Sequence, residues 1–310
     1  MPRPAPTHVW PMNWIRFKER LFADPTNVLA LSGGGARGMA HIGVLKHLDY
    51  LSLKPELVTG TSMGAVVGAL YCLNGSSEGL RDVVHDLFVS ELFQKLDLDD
   101  LIEHDAKERD SFEEFSRRTR KLFTLTRMVR RISIVEGEFI EDVMVRLFGE
   151  ATFADLKIPF VAVATDLDSG EDVALTQGKL ATAVQASAAI PGVFPPVPLD
   201  GMLLVDGYIT KNVPVPEPGQ PHFRGDIMAV DVQRGLQSSG PWENGVDILA
   251  RAEWIMQLQL NRFYLEMADL VLVPEVQDVH WADFSRIDEL IEAGRACAAE
   301  KEEEIVQLFG

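Results

Sequence analysis

The sequence predicts an α/β fold with a mostly parallel central sheet. Short apolar runs of strand length alternate with longer stretches of helical spacing. The first two strand-to-helix joints are rich in glycine, and the composition is that of an ordinary globular chain, with 310 residues, 46% hydrophobic and 25% charged. These observations predict one large domain over 27–310, an amphipathic extension over 1–26, and a charged helical insertion over about 89–135.

Asn27 to Ser32 is a β-like run, followed by the loop Gly33-Gly34-Gly35-Ala36-Arg37-Gly38. Met39 to Leu51 then places Ile42, Leu45 and Leu48 at helical spacing. Leu57 to Gly60 is the next strand, and Ala65 to Leu73 the next helix. Parallel strands joined through helices cross over right-handedly, so the carboxyl ends of both strands reach one sheet edge. Phe160 to Thr165 reads as a buried strand, Ser169-Gly170 as a turn, Val173 to Thr176 as a strand and Lys179 to Ala188 as a helix. Pro191, Pro195, Pro196 and Pro198 impose an irregular loop. Beyond it, Met202 to Val205 leads into Asp206-Gly207, while Asp200-Gly201 is a hairpin signal. Ile227 to Val232 and Leu270 to Val273 are further strands, separated by a long helix through Ile248 to Met267. Ile287 to Leu308 closes the chain as helix.

Charge and composition exclude several classes of function. A formal net charge of −18 argues against nucleic acid as a partner, since phosphate binding needs clustered positive charge. The two cysteines, Cys72 and Cys297, lie far apart and suggest neither a disulfide framework nor a metal cluster. No apolar stretch approaches the roughly 20 residues that span a bilayer, and the start has no apolar signal core. A cytoplasmic protein is the expectation. Acids crowd Asp97 to Glu114, and bases then crowd Arg117 to Arg131, which marks the insertion as polarised.

Gly60-Thr61-Ser62-Met63-Gly64 places a serine one residue from each of two glycines, after a strand and before a helix, where a nucleophile elbow sits. The glycine loop at the neighbouring joint offers backbone N–H groups to an anion. A serine hydroxyl needs a base, and the tetrahedral intermediate needs preorganised donors. Gly34 and Gly35 suit that role because a carbonyl can approach a backbone without side chains. Arg37 either braces this loop or sits near a phosphate, and bracing is preferred. Gly33, Gly35 and Gly38 also fit a dinucleotide fingerprint, but the next strand ends Thr59-Gly60-Thr61 without the acid that holds a ribose. No Gly-Lys-Ser/Thr follows, which removes a Walker loop.

Two bases are open to Ser62. Of seven histidines, His280 is placed where an α/β-hydrolase histidine would lie, with Asp206 or Asp231 as orienter. Its alternative is a packing role beside Trp281. Asp206 could instead accept the serine proton directly, provided it is held close and partly desolvated.

The chain resembles the patatin-like phospholipases, which use a serine-aspartate dyad without histidine. Four ordered segments carry the likeness: the glycine loop, the Ser62 elbow, Ala186-Ser187-Ala188-Ala189-Ile190-Pro191 running into Phe194-Pro195-Pro196, and Asp206-Gly207. It extends over roughly Val28 to Val215 and continues more loosely through the late strand and Trp281-Ala282-Asp283-Phe284 to the end. The resemblance implies a three-layer α/β/α domain that hydrolyses lipid acyl esters, with Ser62 and Asp206 catalytic. It also implies an oxyanion hole from Gly33, Gly34, Gly35, Arg37 and Gly38, an elbow shaped by Gly60 and Gly64, and no metal or cofactor. Tyr208 departs from the family, which usually has a small residue after Asp-Gly, and is expected to alter the turn that aims the carboxylate.

The implied substrate is a phospholipid or lysophospholipid. Acyl transfer by the same dyad and a catalytically weak adaptor are alternatives. Trp10, Trp14, Ile15, Phe17, Leu21 and Phe22 are mixed with bases, and Leu122, Leu125, Val129 and Ile132 form a helical stripe. Either segment is read as a peripheral contact with the inner membrane face or, by preference, as packing onto the domain.

Overall fold

A computed structural model of the chain describes residues 27–88, 132–216, 225–233, 235–236 and 245–310. The 1–26 extension and, apart from residues 132–135, the expected insertion lie outside the described residues. So do the membrane-facing candidates at 10–22 and 117–131.

The fold is mixed α/β. Strands β1 (Asn27–Leu31), β2 (Leu57–Thr61), β3 (Phe160–Asp166), β4 (Asp172–Leu175), β5 (Val197–Leu199), β6 (Met202–Asp206), β7 (Asp226–Val230) and β8 (Leu270–Leu272) form one sheet. Hydrogen-bonded neighbours run β5-β6-β3-β2-β1-β7-β8, with β4 also paired to β3. The pairings β1 with β2, β1 with β7, β2 with β3 and β7 with β8 are parallel. Those of β3 with β4 and β6, and of β5 with β6, are antiparallel. The sheet is therefore mostly parallel, as the sequence predicts.

The helices are α1 (Ala40–Tyr50), α2 (Met63–Asn74), α3 (Leu80–Phe88), α4 (Gly137–Phe148), α5 (Leu180–Ser187), α6 (Tyr208–Lys211), α7 (Gly245–Leu265), α8 (Ile287–Glu300) and α9 (Glu302–Phe309). Alternation along the strands divides the core between the two sheet faces. Leu29, Leu31, Val58, Phe160 and Met228 point into the larger cluster, which includes residues of α1, α2, α5 and α8. Ala30, Ile227 and Ala229 face the other way, onto Val213, Val215 and the end of α7 at Leu265.

Several elements differ from the sequence reading for local reasons. The first helix begins only at Ala40, because Gly35–Met39 winds as a 3-10 turn. The closing helix breaks at Lys301, whose φ of −105° and ψ of 18° leave the α region. Helix α3 buries Leu80, Val84 and Leu87, a spacing the sequence displays. Strand β5 falls within the proline-rich loop; its hairpin to β6 turns at Asp200 and Gly201, with φ of 50° and 80°, as their identities predict.

Register explains why the ends of β2 and β6 meet. Both β2 and β4 pair with Ala162 and Val163, so they occupy opposite edges of β3. Both β4 and β6 pair with Ala164 and Thr165, so β6 lies on the edge that β2 has vacated. Thr61 ends β2 opposite Val163, and Asp206 ends β6 opposite Ala164, the next residue. Two strands arriving from opposite directions thus stop head to head.

Candidate active site

Ser62 follows β2 directly and opens α2, with φ 54° and ψ −124°. This is a rare conformation for a residue with a side chain, costing about 1–3 kcal/mol, and it persists only when its surroundings enforce it. Gly64 is part of that enforcement: a Cβ there would lie 2.2 Å from Leu31 O and 2.6 Å from Ser32 O. A Cβ on Gly60 would lie 2.5 Å from Gly64 O. The turn can be this tight only with glycine on each side of the serine. From the third segment noted in the sequence, Ser187 holds it further, accepting the Ser62 N–H on its carbonyl at 3.2 Å and on its Oγ at 3.1 Å. The Ser187 hydroxyl donates in turn to Val163 O at 2.6 Å.

Asp206 faces this serine. Ser62 Oγ donates to Asp206 Oδ2 at 2.6 Å. The other oxygen, Oδ1, accepts the Tyr208 N–H at 2.9 Å, and the carboxylate is 1% exposed. Burial pushes its pKa up from 3.8 to about 7, against the lowering effect of the Ser62 and Tyr208 hydrogen bonds. A carboxyl with that pKa can act as a base near neutral pH, where a solvated aspartate would be too weak. The chain after it is stitched to β2, since Thr61 Oγ1 donates to Lys211 O at 2.8 Å and Thr59 Oγ1 to Pro214 O at 2.7 Å.

Tyr208 does not distort the turn. Its contribution there is its backbone N–H, which any residue except proline supplies. The side chain leaves toward α7, where its hydroxyl donates to Glu253 Oε1 at 2.5 Å.

The glycine loop lies against the serine: a Cβ on Gly33 would come within 3.0 Å of Ser62 Cβ. The five loop residues named from the sequence divide by what their groups already do. Gly33 gives its N–H to Asn212 O at 3.1 Å and so anchors the loop to the segment after Asp206. Arg37, buried, donates from Nε to Gly34 O at 3.2 Å, which is the bracing arrangement. Fixing that carbonyl also fixes the Gly35 N–H on the opposite side of the same planar peptide. Gly35 itself has φ 57°, and a Cβ there would meet Trp281 O at 2.2 Å, while the Ala36 N–H donates to that same carbonyl at 2.7 Å. Gly38 packs against the Met63 side chain. Among the described residues, the N–H groups of Gly34 and Gly35 have no protein acceptor.

The histidine alternative is not assembled. His280 Nδ1 accepts the Ala282 N–H at 3.3 Å within its own loop. Asp231, its candidate orienter, accepts from Gln233 N and sits in the field of Arg37. His41, one of the histidines set aside as a base in the sequence, is fully buried, and its Nε2 lies 2.8 Å from Ser32 O, so the ring bears its proton there. Burial drops its pKa to about 4, and it stays neutral as a brace for the strand end.

A family model described as patatin-like phospholipase matches residues 29–218, which takes in the glycine loop, Ser62, Ser187 and Asp206. The chain belongs to the patatin-like phospholipase family. Among curated relatives of this family, an uncharacterised NTE family protein of Mycobacterium bovis is 34% identical over 193 residues, covering 62% of this chain and 45% of that protein. Human patatin-like phospholipase domain-containing protein 6 is 29% identical over 262 residues, covering 84% of this chain and 17% of that protein. The chain thus spans less than half the length of these relatives. The crystal structure of VipD from Legionella pneumophila aligns with a TM-score of 0.48 and 14% identity, over 91% of this chain and 67% of that one. Among the described residues no group of histidine, cysteine, aspartate and glutamate could hold a metal ion. No described helix is long and apolar enough to cross a membrane.

Proposed function

We propose that this patatin-like protein is a serine-dependent lipid acyl hydrolase, with phospholipid or lysophospholipid as substrate, Ser62 as nucleophile and Asp206 as its base. The observation that carries this reading is the 2.6 Å hydrogen bond from Ser62 Oγ to a buried carboxylate raised to about 7. Family membership supports ester hydrolysis on lipids. Relatives named as a patatin-like phospholipase domain-containing protein and a neuropathy target esterase support it further.

In this mechanism Ser62 Oγ attacks the ester carbonyl carbon as its proton passes to Asp206 Oδ2. The negative charge on the former carbonyl oxygen is taken up by the N–H groups of Gly34 and Gly35, aided by the positive end of the 3-10 turn and α1 behind them. The intermediate collapses, and the alcohol leaves with the proton returned by Asp206, which leaves an acyl ester on Ser62. Asp206 then takes a proton from water, whose oxygen attacks the acyl carbon, and the fatty acid departs as Ser62 Oγ recovers its proton. Strain at Ser62 keeps the hydroxyl at the head of its turn throughout.

Labelling with a fluorophosphonate, followed by peptide mapping, tests this without assuming a head group. Modification is expected at Ser62 and is lost in Ser62→Ala. Folded protein that neither labels nor hydrolyses a short soluble ester refutes the reading.

A further inference from the structure

Two buried amides of α7 are engaged: Gln257 Nε2 donates to Ile209 O at 2.9 Å, and Asn261 Nδ2 donates to Gln233 Oε1. Asn212 differs. It is 3% exposed, yet among the described residues its side-chain amide has no hydrogen-bond partner, and neither polar atom is sealed from solvent. Buried polar groups are nearly always satisfied, so an unspent amide that still opens on solvent is placed to bind a small polar molecule that enters.

Its position says where that molecule sits. Asn212 Oδ1 lies 2.5 Å from the place a Cβ on Gly33 would take, and Ser62 Cβ lies 3.0 Å from the same place. The missing side chain of Gly33 thus leaves the amide oxygen next to the serine. The backbone on which it stands is fixed, since Asn212 O accepts the Gly33 N–H at 3.1 Å and Lys211 O accepts from Thr61 Oγ1 at 2.8 Å. Asp206 and Asn212 lie on either side of the short helix α6. One segment therefore brings two oxygen acceptors to Ser62, a carboxylate that is already bonded to it and an amide that is not.

We infer that Asn212 Oδ1 orients the water that resolves the acyl-enzyme, and that it thereby favours hydrolysis over acyl transfer. The inference rests on the acyl-hydrolase reading. Water brings two protons and an alcohol only one. As the water oxygen bonds to the acyl carbon, one proton passes to Asp206 Oδ2, while the other stays on the oxygen and donates to Asn212 Oδ1, which aims the attacking lone pair. The bond from the carbon to Ser62 Oγ then breaks, Asp206 returns its proton to Oγ, and the second proton leaves with the carboxylic acid. An alcohol in the same place has an alkyl group where that second proton would be, so the amide oxygen loses its donor and the alcohol its alignment.

The test gives the full chain p-nitrophenyl butyrate in aqueous methanol and measures butyric acid against methyl butyrate. The parent is expected to make a smaller share of methyl ester than the same substrate gives in alkali without protein. Asn212→Ala keeps the backbone tether to Gly33, and Asn212→Leu puts carbon in the place of the amide. Each is expected to lower acid formation by about tenfold and to raise the methyl ester share. Fluorophosphonate labelling of Ser62, which needs no water, stays within about threefold. Asn212→Asp keeps the oxygen and restores the parent's share. Lost packing alone would slow labelling and both products together. A parent that does not discriminate against methanol, or folded variants with an unchanged share, overturns the inference and leaves the hydrolase reading standing. A parent that neither labels nor cleaves the ester refutes the hydrolase reading, and the role of Asn212 with it.

Discussion

Ser62 and Asp206 both cap strands that end on the same edge of β3, yet the two ends are secured by opposite means. The serine is held by backbone: glycine on either side, two contacts to Ser187 and a strained φ of 54°. The aspartate is held by side-chain burial, at an electrostatic cost visible in its raised pKa, and the residues after it are tied down by hydroxyls and by α7. One end is rigid through geometry and the other reactive through desolvation. Backbone geometry is intolerant of any added atom, whereas the aspartate's surroundings can be adjusted one side chain at a time.

Exchange of the reacting groups should break this contrast most sharply. Ser62→Ala and Asp206→Asn are each expected to lower ester hydrolysis by about four orders of magnitude, measured as kcat/KM on a soluble ester. Their effects on stability should diverge. The pKa of Asp206 is higher in the folded chain than its unfolded value of 3.8, so ionising it opposes folding. That penalty is absent below 3.8, grows as pH rises toward about 7 and is complete above it. Asp206→Asn should therefore melt at a higher temperature than the parent at alkaline pH and lose this advantage in acid, while Ser62→Ala gains no such benefit.

On the geometric side, Gly64→Ala should cost about 3 kcal/mol or more, because backbone oxygens of Leu31 and Ser32 occupy the space of the new methyl. Chemical denaturation would measure it, and unaltered stability would show that the elbow can open. The desolvated side predicts a pH profile instead: kcat/KM rises about tenfold per pH unit through the acid range and levels near 7, where Asp206 becomes ionised. A plateau already reached near pH 4 would mean an ordinary, hydrated carboxylate. Least affected should be Tyr208→Phe. It removes the Glu253 contact and costs about 1–2 kcal/mol, but keeps the N–H on Asp206, so activity stays within about fivefold.

What was legible in the sequence follows the same division. The elbow and the glycine loop depend on neighbours two or three residues away, so spacing alone exposed Ser62, Gly34 and Gly35. Asp206-Gly207 read equally well as a hairpin turn. It is a strand-to-helix joint because β6 runs into β2 on a shared edge, a fact of the whole sheet and not of the dipeptide. The roles of His41, Ser187 and Asn212 were hidden for a related reason, since each acts through a backbone group brought near by the fold. The doubt over Tyr208 came from its bulk, although the carboxylate uses only its N–H.

The head-to-head meeting of β2 and β6 also bears on when the protein becomes reactive. Ser62 and Asp206 are 144 residues apart, and the Gly33 tether to Asn212 spans nearly the whole interval between the first loop and the last part of the site. Contacts of such separation are paid for in loop entropy and form late relative to local structure. During synthesis, the proposed nucleophile emerges as an ordinary alcohol and meets the carboxylate of its proposed base only when β6 has docked. On the proposed mechanism, ester cleavage would report on the completed sheet, and its recovery after dilution from denaturant should lag behind the return of helical signal.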